Sequence, residues 1–253
     1  MEKTVFHGNF KTLYAAVREH LSDSGSCHDF DHTLRVMGNA IKLLEQYPQA
    51  DREMVILGAL LHDIGRPEEE KSRGKICHAA AGANMVKKML ADHGFPEDFT
   101  APVAGIIRCH RFRGKNEPQT IEEKIVFDAD KLDSLGAIGL GRAFVFAGRE
   151  NARVHNTESE ALNGKAYSKE DTAFREYLVK LRFLPRRMQT VAGRKEAVER
   201  AGFMADFFEK INKETFLGDI EILELKLDGT REEIRNECIN SASKNILRKI
   251  KNS

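Results

Sequence analysis

The stretch Met54-Val55-Ile56-Leu57-Gly58-Ala59-Leu60-Leu61-His62-Asp63-Ile64-Gly65-Arg66-Pro67 constrains this chain more than any other. Its apolar run is too short to span a bilayer but long enough for a helix buried in a core. Gly65 and Pro67 read as the stop, since glycine takes the left-handed conformation past a helix end and proline cannot continue the helix. His62 and Asp63 then fall in the last turn, where an imidazole and a carboxylate are costly to desolvate without a partner. A metal ion is the economical partner.

Two other places complete such a site. His32 stands in His28-Asp29-Phe30-Asp31-His32-Thr33-Leu34-Arg35-Val36, and Asp130 in Phe127-Asp128-Ala129-Asp130-Lys131-Leu132-Asp133. With His62 and Asp63 they supply imidazoles and carboxylates only. That donor set suits manganese, iron(II), cobalt, nickel or magnesium, whereas structural zinc more often takes cysteines. Four protein ligands leave octahedral positions open for water and substrate, as catalysis requires.

The order His32, His62-Asp63, Asp130, with His-x-x-Arg-Val at the first and Asp-Ala-Asp-Lys-Leu-Asp at the last, resembles the signature of the HD-domain superfamily of metal-dependent phosphohydrolases. The resemblance covers roughly residues 20–210. It implies an all-α fold, a helical bundle whose helices converge on the metal, and hydrolysis of a phosphoester or phosphoanhydride. It also implies that His32, His62, Asp63 and Asp130 hold the metal, with Asp63 doubling as a local base. Arg66 and Lys131 are candidate catalytic cations, and Arg35, beside the first motif, is a candidate substrate contact. Each of the three can instead form a structural ion pair. His78 and His110 occupy places comparable to the additional histidines of two-metal members. They are either ligands of a second metal or supporting donors and phosphate contacts around one.

At 253 residues the chain can bury a substantial core without disulfide staples, and with no Trp that core must be aliphatic and Phe. A formal net charge of +1 demands neither nucleic acid nor an anionic membrane as partner. The charged amino terminus reads as neither signal nor anchor, so a cytoplasmic enzyme is expected. Cys27, Cys77, Cys109 and Cys238 form no Cys-x-x-Cys pair and are expected as free thiols. Three of them precede a histidine and either lie near the metal or serve as small apolar residues.

Along the chain, residues 1–21 read as an amphipathic helix through Val5, Phe6, Phe10, Leu13, Val17 and Leu21. Leu34, Met37, Ile41 and Leu44 mark the stripe of the next helix, which His32 enters, while His62 leaves the one after; His28 shares a face with His32 if the helix has already begun. Residues 68–75 read as an exposed polar loop, from which Glu68, Glu69 or Glu70 can supply a general base. His78 opens a small-residue helix that stops at Gly94, and a helix from Ala101 to Arg113 carries His110 near its end. Thr120-Ile121-Glu122-Glu123 is a capping box opening the Asp130 helix, in which Asp133 is placed to support the ligands and Asp128 to cap or pair.

Gly136 to Arg142 lacks the strand context of a nucleotide loop and reads as glycine-mediated helix packing, with Arg142 kept as a candidate substrate contact. Residues 148–171 are polar and weakly periodic, either disordered or a lid. Phe174, Tyr177, Leu178, Leu181 and Leu184 mark a further helix, whose Lys180, Arg182, Arg186 and Arg187 either bind polyphosphate or form a solvated face. Arg194 to Phe216 follows, with Phe203, Phe207, Phe208 and Ile211 as its core contacts. The domain reading is therefore a metal-hydrolase domain over 1–216 and a helical tail or subdomain over 217–253.

The expected reaction is hydrolysis of a nucleoside di- or triphosphate to the monophosphate through a metal-activated water. The rivals are a dinuclear phosphodiesterase, a di-iron oxygenase and a non-catalytic nucleotide sensor. The expected partner is a small phosphorylated molecule; neither membrane nor nucleic acid is called for.

Overall fold

The computed structural model describes residues 5–22, 29–111 and 116–215, and every regular element among them is helical. The chain divides into two compact units after Asp133. The first holds α1 (Phe10–His20), α2 (Phe30–Leu44), α3 (Arg52–Leu61), α4 (Arg66–Lys71), α5 (His78–Asp92), α6 (Thr100–Cys109) and α7 (Ile121–Leu132). The second holds α8 (Gly136–Arg149), α9 (Glu158–Asn163), α10 (Ala173–Val179) and α11 (Val191–Thr215). Among the described residues no helix is long and apolar enough to cross a membrane. The expected tail at 217–253, with Cys27, His28 and Cys238, lies outside the described residues.

The apolar run becomes α3, which starts where the Asp51 side chain accepts the Met54 N–H at 3.0 Å. Val55 through Leu61 are all buried, so α3 has no solvent face and touches α1, α2, α6 and α7. Leu57, Leu60 and Leu61 of α3 share one core cluster with Leu13 and Val17 of α1, Leu21 at its C-cap, Val86 and Leu90 of α5, and Val103 and Ile107 of α6. Burial of each such aliphatic side chain stabilises the fold by about 1.5–3 kcal/mol. α1 begins only at Phe10, and Val5, expected on its apolar face, is 85% exposed.

Glu53, in the first turn of α3, is buried and is met by His7, whose backbone N–H donates to Oε1 at 2.8 Å and whose Nδ1 lies 2.6 Å from Oε2. The Glu53 hydrogen bond, then its charge, raise the His7 pKa above 6.5, with Asp98 and Asp51 adding to the effect. Because the folded state favours protonated His7, this clasp contributes fully below pH 6.5 and is lost as pH rises through the raised folded value. The Tm of the wild type should therefore fall more steeply from about pH 6 to about pH 8 than that of His7→Ala. Parallel slopes would refute the clasp.

In α2 the Asp29 side chain accepts the His32 N–H at 2.9 Å, so the cap itself fixes where His32 enters the helix. The buried face runs through His32, Thr33, Val36, Ala40, Leu43 and Leu44; of the expected stripe Leu44 is buried and Met37 packs on the core, whereas Ile41 is half-buried and Leu34 is 38% exposed. A second correction concerns Gly65 and Pro67. Gly65 is right-handed, with φ −84°, and with Pro67 it opens α4, so the expected loop at 68–75 begins as a helix. Proline suits a first turn, where its missing N–H is not needed. α5 opens on His78 as expected and gives way to Gly94 at φ +75°, whereas α6 stops at Cys109 with His110 as its cap, short of Arg113. The Thr120–Glu123 capping box opens α7.

In the second unit, the segment 148–171 is built rather than structureless. It contains α9, pairs Arg153 with Glu160 and Glu170, and buries Asn156, which accepts from Thr172 Oγ1 at 2.8 Å. Gly136 to Arg142 is the start of α8, with Gly136 at φ +72° and close to the Arg200 side chain. The helix expected at 174–184 breaks at Lys180, beyond which residues 181–187 form a 3-10 turn. On α11, Phe208 is fully buried but Phe203 is 49% exposed; the inward face is Ala197, Ala201, Met204, Ala205 and Phe208.

Candidate metal centre

The site lies within the first unit, where helix ends converge. His32 stands in the first turn of α2, and His62 caps the C-terminus of α3. Their Nε2 atoms are 3.2 Å apart, and Asp130 Oδ1 of α7 lies 3.4 Å from that of His32. His78 opens α5 and His110 caps α6, with their Nε2 atoms 3.1 Å apart. Asp63 sits between the two pairs. Its Oδ2 lies 3.7 Å from His32 Nε2 and 3.6 Å from His62 Nε2, while its Oδ1 lies 3.5 Å from Nε2 of both His78 and His110. All four histidines and Asp63 are buried.

The ring tautomers follow from the outer contacts. His62 Nδ1 faces the Ala59 carbonyl at 2.8 Å and His110 Nδ1 the Ile107 carbonyl at 2.6 Å. His32 Nδ1 faces Asp133 Oδ2 at 2.6 Å and His78 Nδ1 faces Glu69 Oε2 at 2.8 Å. Carbonyls and carboxylates only accept, so each Nδ1 carries a proton, and the neutral form of each ring turns an Nε2 lone pair inward. Burial lowers His62 to about 4 and His78 to about 2, against the pull of Asp63. Burial alone would raise the Asp130 carboxyl, but the Lys131 ammonium beside it holds it well below its ordinary range. Lone pairs therefore face one another and the Asp63 oxygens across two small clusters, His32–His62–Asp130 and Asp63–His78–His110. Cations relieve that repulsion, so the donor set fits divalent metal.

Arg66 Nε donates to Asp63 Oδ1 and its Nη1 to Glu69 Oε2, both at 2.9 Å. Lys131 Nζ donates to the His110 carbonyl and to Asp130 Oδ2, both at 2.5 Å. Arg35 holds Asp133 with two N–H groups, at 2.6 and 3.1 Å, and thereby backs His32. Arg142 belongs to the second unit, on α8. Asp128 is fully buried on α7. Of the three glutamates left open by the sequence, Glu69 is the one that faces the centre. Arg111 was missed: its Nη2 lies 3.4 Å from Glu69 Oε1, and its only sequence signal is adjacency to His110. Cys77 and Cys109 are free thiols. Burial pushes Cys109 up to about 12, whereas Cys77 is lowered, its burial outweighed by the Ala80 N–H and Arg111.

The fold and this centre define the class. A profile of the HD domain matches residues 29–135, and the chain belongs to the HD-domain family. Among its relatives is YpgQ of Bacillus subtilis (strain 168), 32% identical over 205 residues that make up 78% of this chain and 89% of that protein. The crystal structure of YpgQ in complex with ADP is similar at a TM-score of 0.62 and 26% identity, covering 82% of this chain and 95% of that one. An HD-superfamily hydrolase from Bacillus thuringiensis matches at a TM-score of 0.62 and 29% identity, covering 81% of this chain and 95% of that one. The HD domain implies binding of divalent metal, and the His/Asp clusters fit a metal-dependent phosphohydrolase.

Proposed function

We propose that the protein hydrolyses the phosphoanhydride of a nucleoside di- or triphosphate at this centre, with His32, His62, Asp63 and Asp130 as one ligand set and Asp63, His78 and His110 as a second. The observation that carries the reading is the Asp63 carboxylate, each oxygen of which addresses a different histidine pair. Bound divalent metal supplies a water of lowered pKa and Lewis acidity toward a phosphoryl oxygen. The chain's own groups do the rest. His62 and His78, kept neutral by burial, retain their lone pairs, and Asp63 is the local base.

Charge supports a polyphosphate. The carboxylates of Asp63, Asp130, Asp133 and Glu69 are already matched by Arg66, Lys131, Arg35 and Arg111. Added divalent cations therefore leave an excess of positive charge for which the several negative charges of a di- or triphosphate are a suitable complement. Arg66 and Lys131, adjoining Asp63 and Asp130, are the cations assigned to phosphoryl oxygens. That YpgQ was crystallised with ADP supports the nucleotide class.

The histidine pair at His78 and His110 also favours a second reading, a dinuclear phosphodiesterase. Purified protein should be incubated with nucleoside di- and triphosphates, cyclic nucleotides and phosphodiesters, with manganese, magnesium, cobalt, nickel and iron(II) supplied separately. Metal-dependent release of a nucleoside monophosphate from the anhydrides is the expected result. Turnover confined to diesters would transfer the assignment to the second reading, and oxygen consumption with iron would replace both.

A further inference from the structure

The two histidine pairs are built on one plan. Each contains a histidine from the first turn of a helix, His32 or His78, and one that caps the end of the next long helix in its unit, His62 or His110. The capping histidine rests its Nδ1 on the carbonyl three residues back, Ala59 or Ile107. The first-turn histidine rests its Nδ1 on a carboxylate, and one oxygen of that carboxylate also accepts a guanidinium N–H. Asp133 Oδ2 takes His32 Nδ1 at 2.6 Å and Arg35 Nη2 at 3.1 Å. Glu69 Oε2 takes His78 Nδ1 at 2.8 Å and Arg66 Nη1 at 2.9 Å.

From this correspondence we infer that Glu69 is the positioning residue of the second metal position, playing toward His78 the part that Asp133 plays toward His32. The inference rests on the two-position reading of the centre and assigns the site's acidic helix a role other than general base. Glu69 Oε2 is engaged by two donors and Oε1 faces the Arg111 guanidinium at 3.4 Å, so both oxygens are turned toward cations or an imidazole N–H. A carboxylate behind a ligating histidine fixes its tautomer and ring orientation and raises its basicity. The two positions are also unequal in donors. Asp130 and Asp63 Oδ2 both address the His32–His62 pair, whereas among the described residues His78 and His110 share the single carboxylate of Asp63, through Oδ1. The second position, poorer by one carboxylate, depends more heavily on the orientation of His78.

Metal-free full-length wild type, Glu69→Gln, Glu69→Ala and Asp133→Asn should be titrated with manganese(II), counting bound ions by elemental analysis and following the electron paramagnetic resonance of exchange-coupled against isolated manganese. Wild type should bind two ions and show the coupled spectrum. Glu69→Ala should weaken the second ion about 10- to 100-fold and leave the first unchanged, with an isolated-ion spectrum. Glu69→Gln, whose amide oxygen still accepts from His78, should fall between them, and Asp133→Asn should weaken the first ion instead. Unchanged affinity for both ions in Glu69→Ala would overturn the inference. If that variant fails to fold, unchanged second-ion affinity in Glu69→Gln would overturn it as well. A wild type that binds a single ion would refute the two-position reading and Glu69's part in it together. Two ions in wild type without turnover of any phosphoester would sink the hydrolase assignment and leave the role of Glu69 standing.

Discussion

Replacing Asp63 by alanine should abolish hydrolysis, by about a thousand-fold or more, and strip both metal positions at once. No other side chain among the described residues presents one oxygen to His32 and His62 and the other to His78 and His110. Losing it removes the anion that both clusters share and leaves inward lone pairs facing one another with less charge to draw a cation in. Arg66 loses one of its two partners and keeps Glu69, so the cost to the fold is that of one charged hydrogen bond, about 1.5–3 kcal/mol. Asp63→Asn separates shape from charge, since its amide keeps one acceptor oxygen and turns an N–H₂ toward the other pair. It should retain at most one ion, with turnover as low as in the alanine variant. The check is elemental analysis and turnover on the same preparations, with circular dichroism confirming helical content. Wild-type turnover in either variant would remove the centre from the reaction.

The residues that converge here were legible through their motifs: His32 in His-x-x-Arg-Val, His62 and Asp63 at the end of the buried run of α3, and Asp130 in Asp-Ala-Asp-Lys-Leu-Asp behind the Thr120 capping box. The all-α fold was legible through the family that those motifs resemble. Helical stripes were read less well, and the misplacements share one cause. The inward face of α2 begins with His32 and Thr33, polar residues turned toward the centre, so starting the stripe at Leu34 placed its first position toward solvent while Met37 and Leu44 still met the core. On α11 the inward face is largely alanine, and Phe203 drew the reading outward. Glu69 could not be chosen from three adjacent glutamates because the choice depends on α4. That helix was concealed by reading Pro67 as a stop rather than as a first-turn residue.

Gly65→Ala should be the most damaging substitution that removes no chemical group. Gly65 has φ −84° and ψ 0°, a conformation alanine adopts readily, so the effect is wholly steric. A Cβ there would stand 2.1 Å from the His78 carbonyl oxygen and 2.6 Å from the Gly82 nitrogen, backbone atoms of α5 that cannot rotate aside. Reaching ordinary contact requires the start of α4 and α5 to separate by roughly 1 Å or more. The expected cost is about 3 kcal/mol or more, at the upper end for overpacking. The movement carries His78 away from Asp63 Oδ1, now 3.5 Å from its Nε2, so the second ion should be lost while His32, His62 and Asp130 keep the first. Gly82→Ala is the control. Its added methyl would meet the Ile107 and Ile64 side chains at 3.1 and 3.2 Å, groups that can yield, and the Gly65 backbone nitrogen at 3.3 Å, a far milder contact than 2.1 Å, so it should cost about 1 kcal/mol. Urea unfolding of the metal-free proteins reads the difference, and manganese stoichiometry reads its consequence at the site. If Gly65→Ala proves as stable as wild type and still binds two ions, the approach of α4 to α5 is not what sets His78 beside Asp63. If the large loss falls on Gly65 alone, the glycine after the His-Asp pair serves by admitting the backbone of the helix that brings the third histidine, and the left-handed turn expected of it has no part in the site.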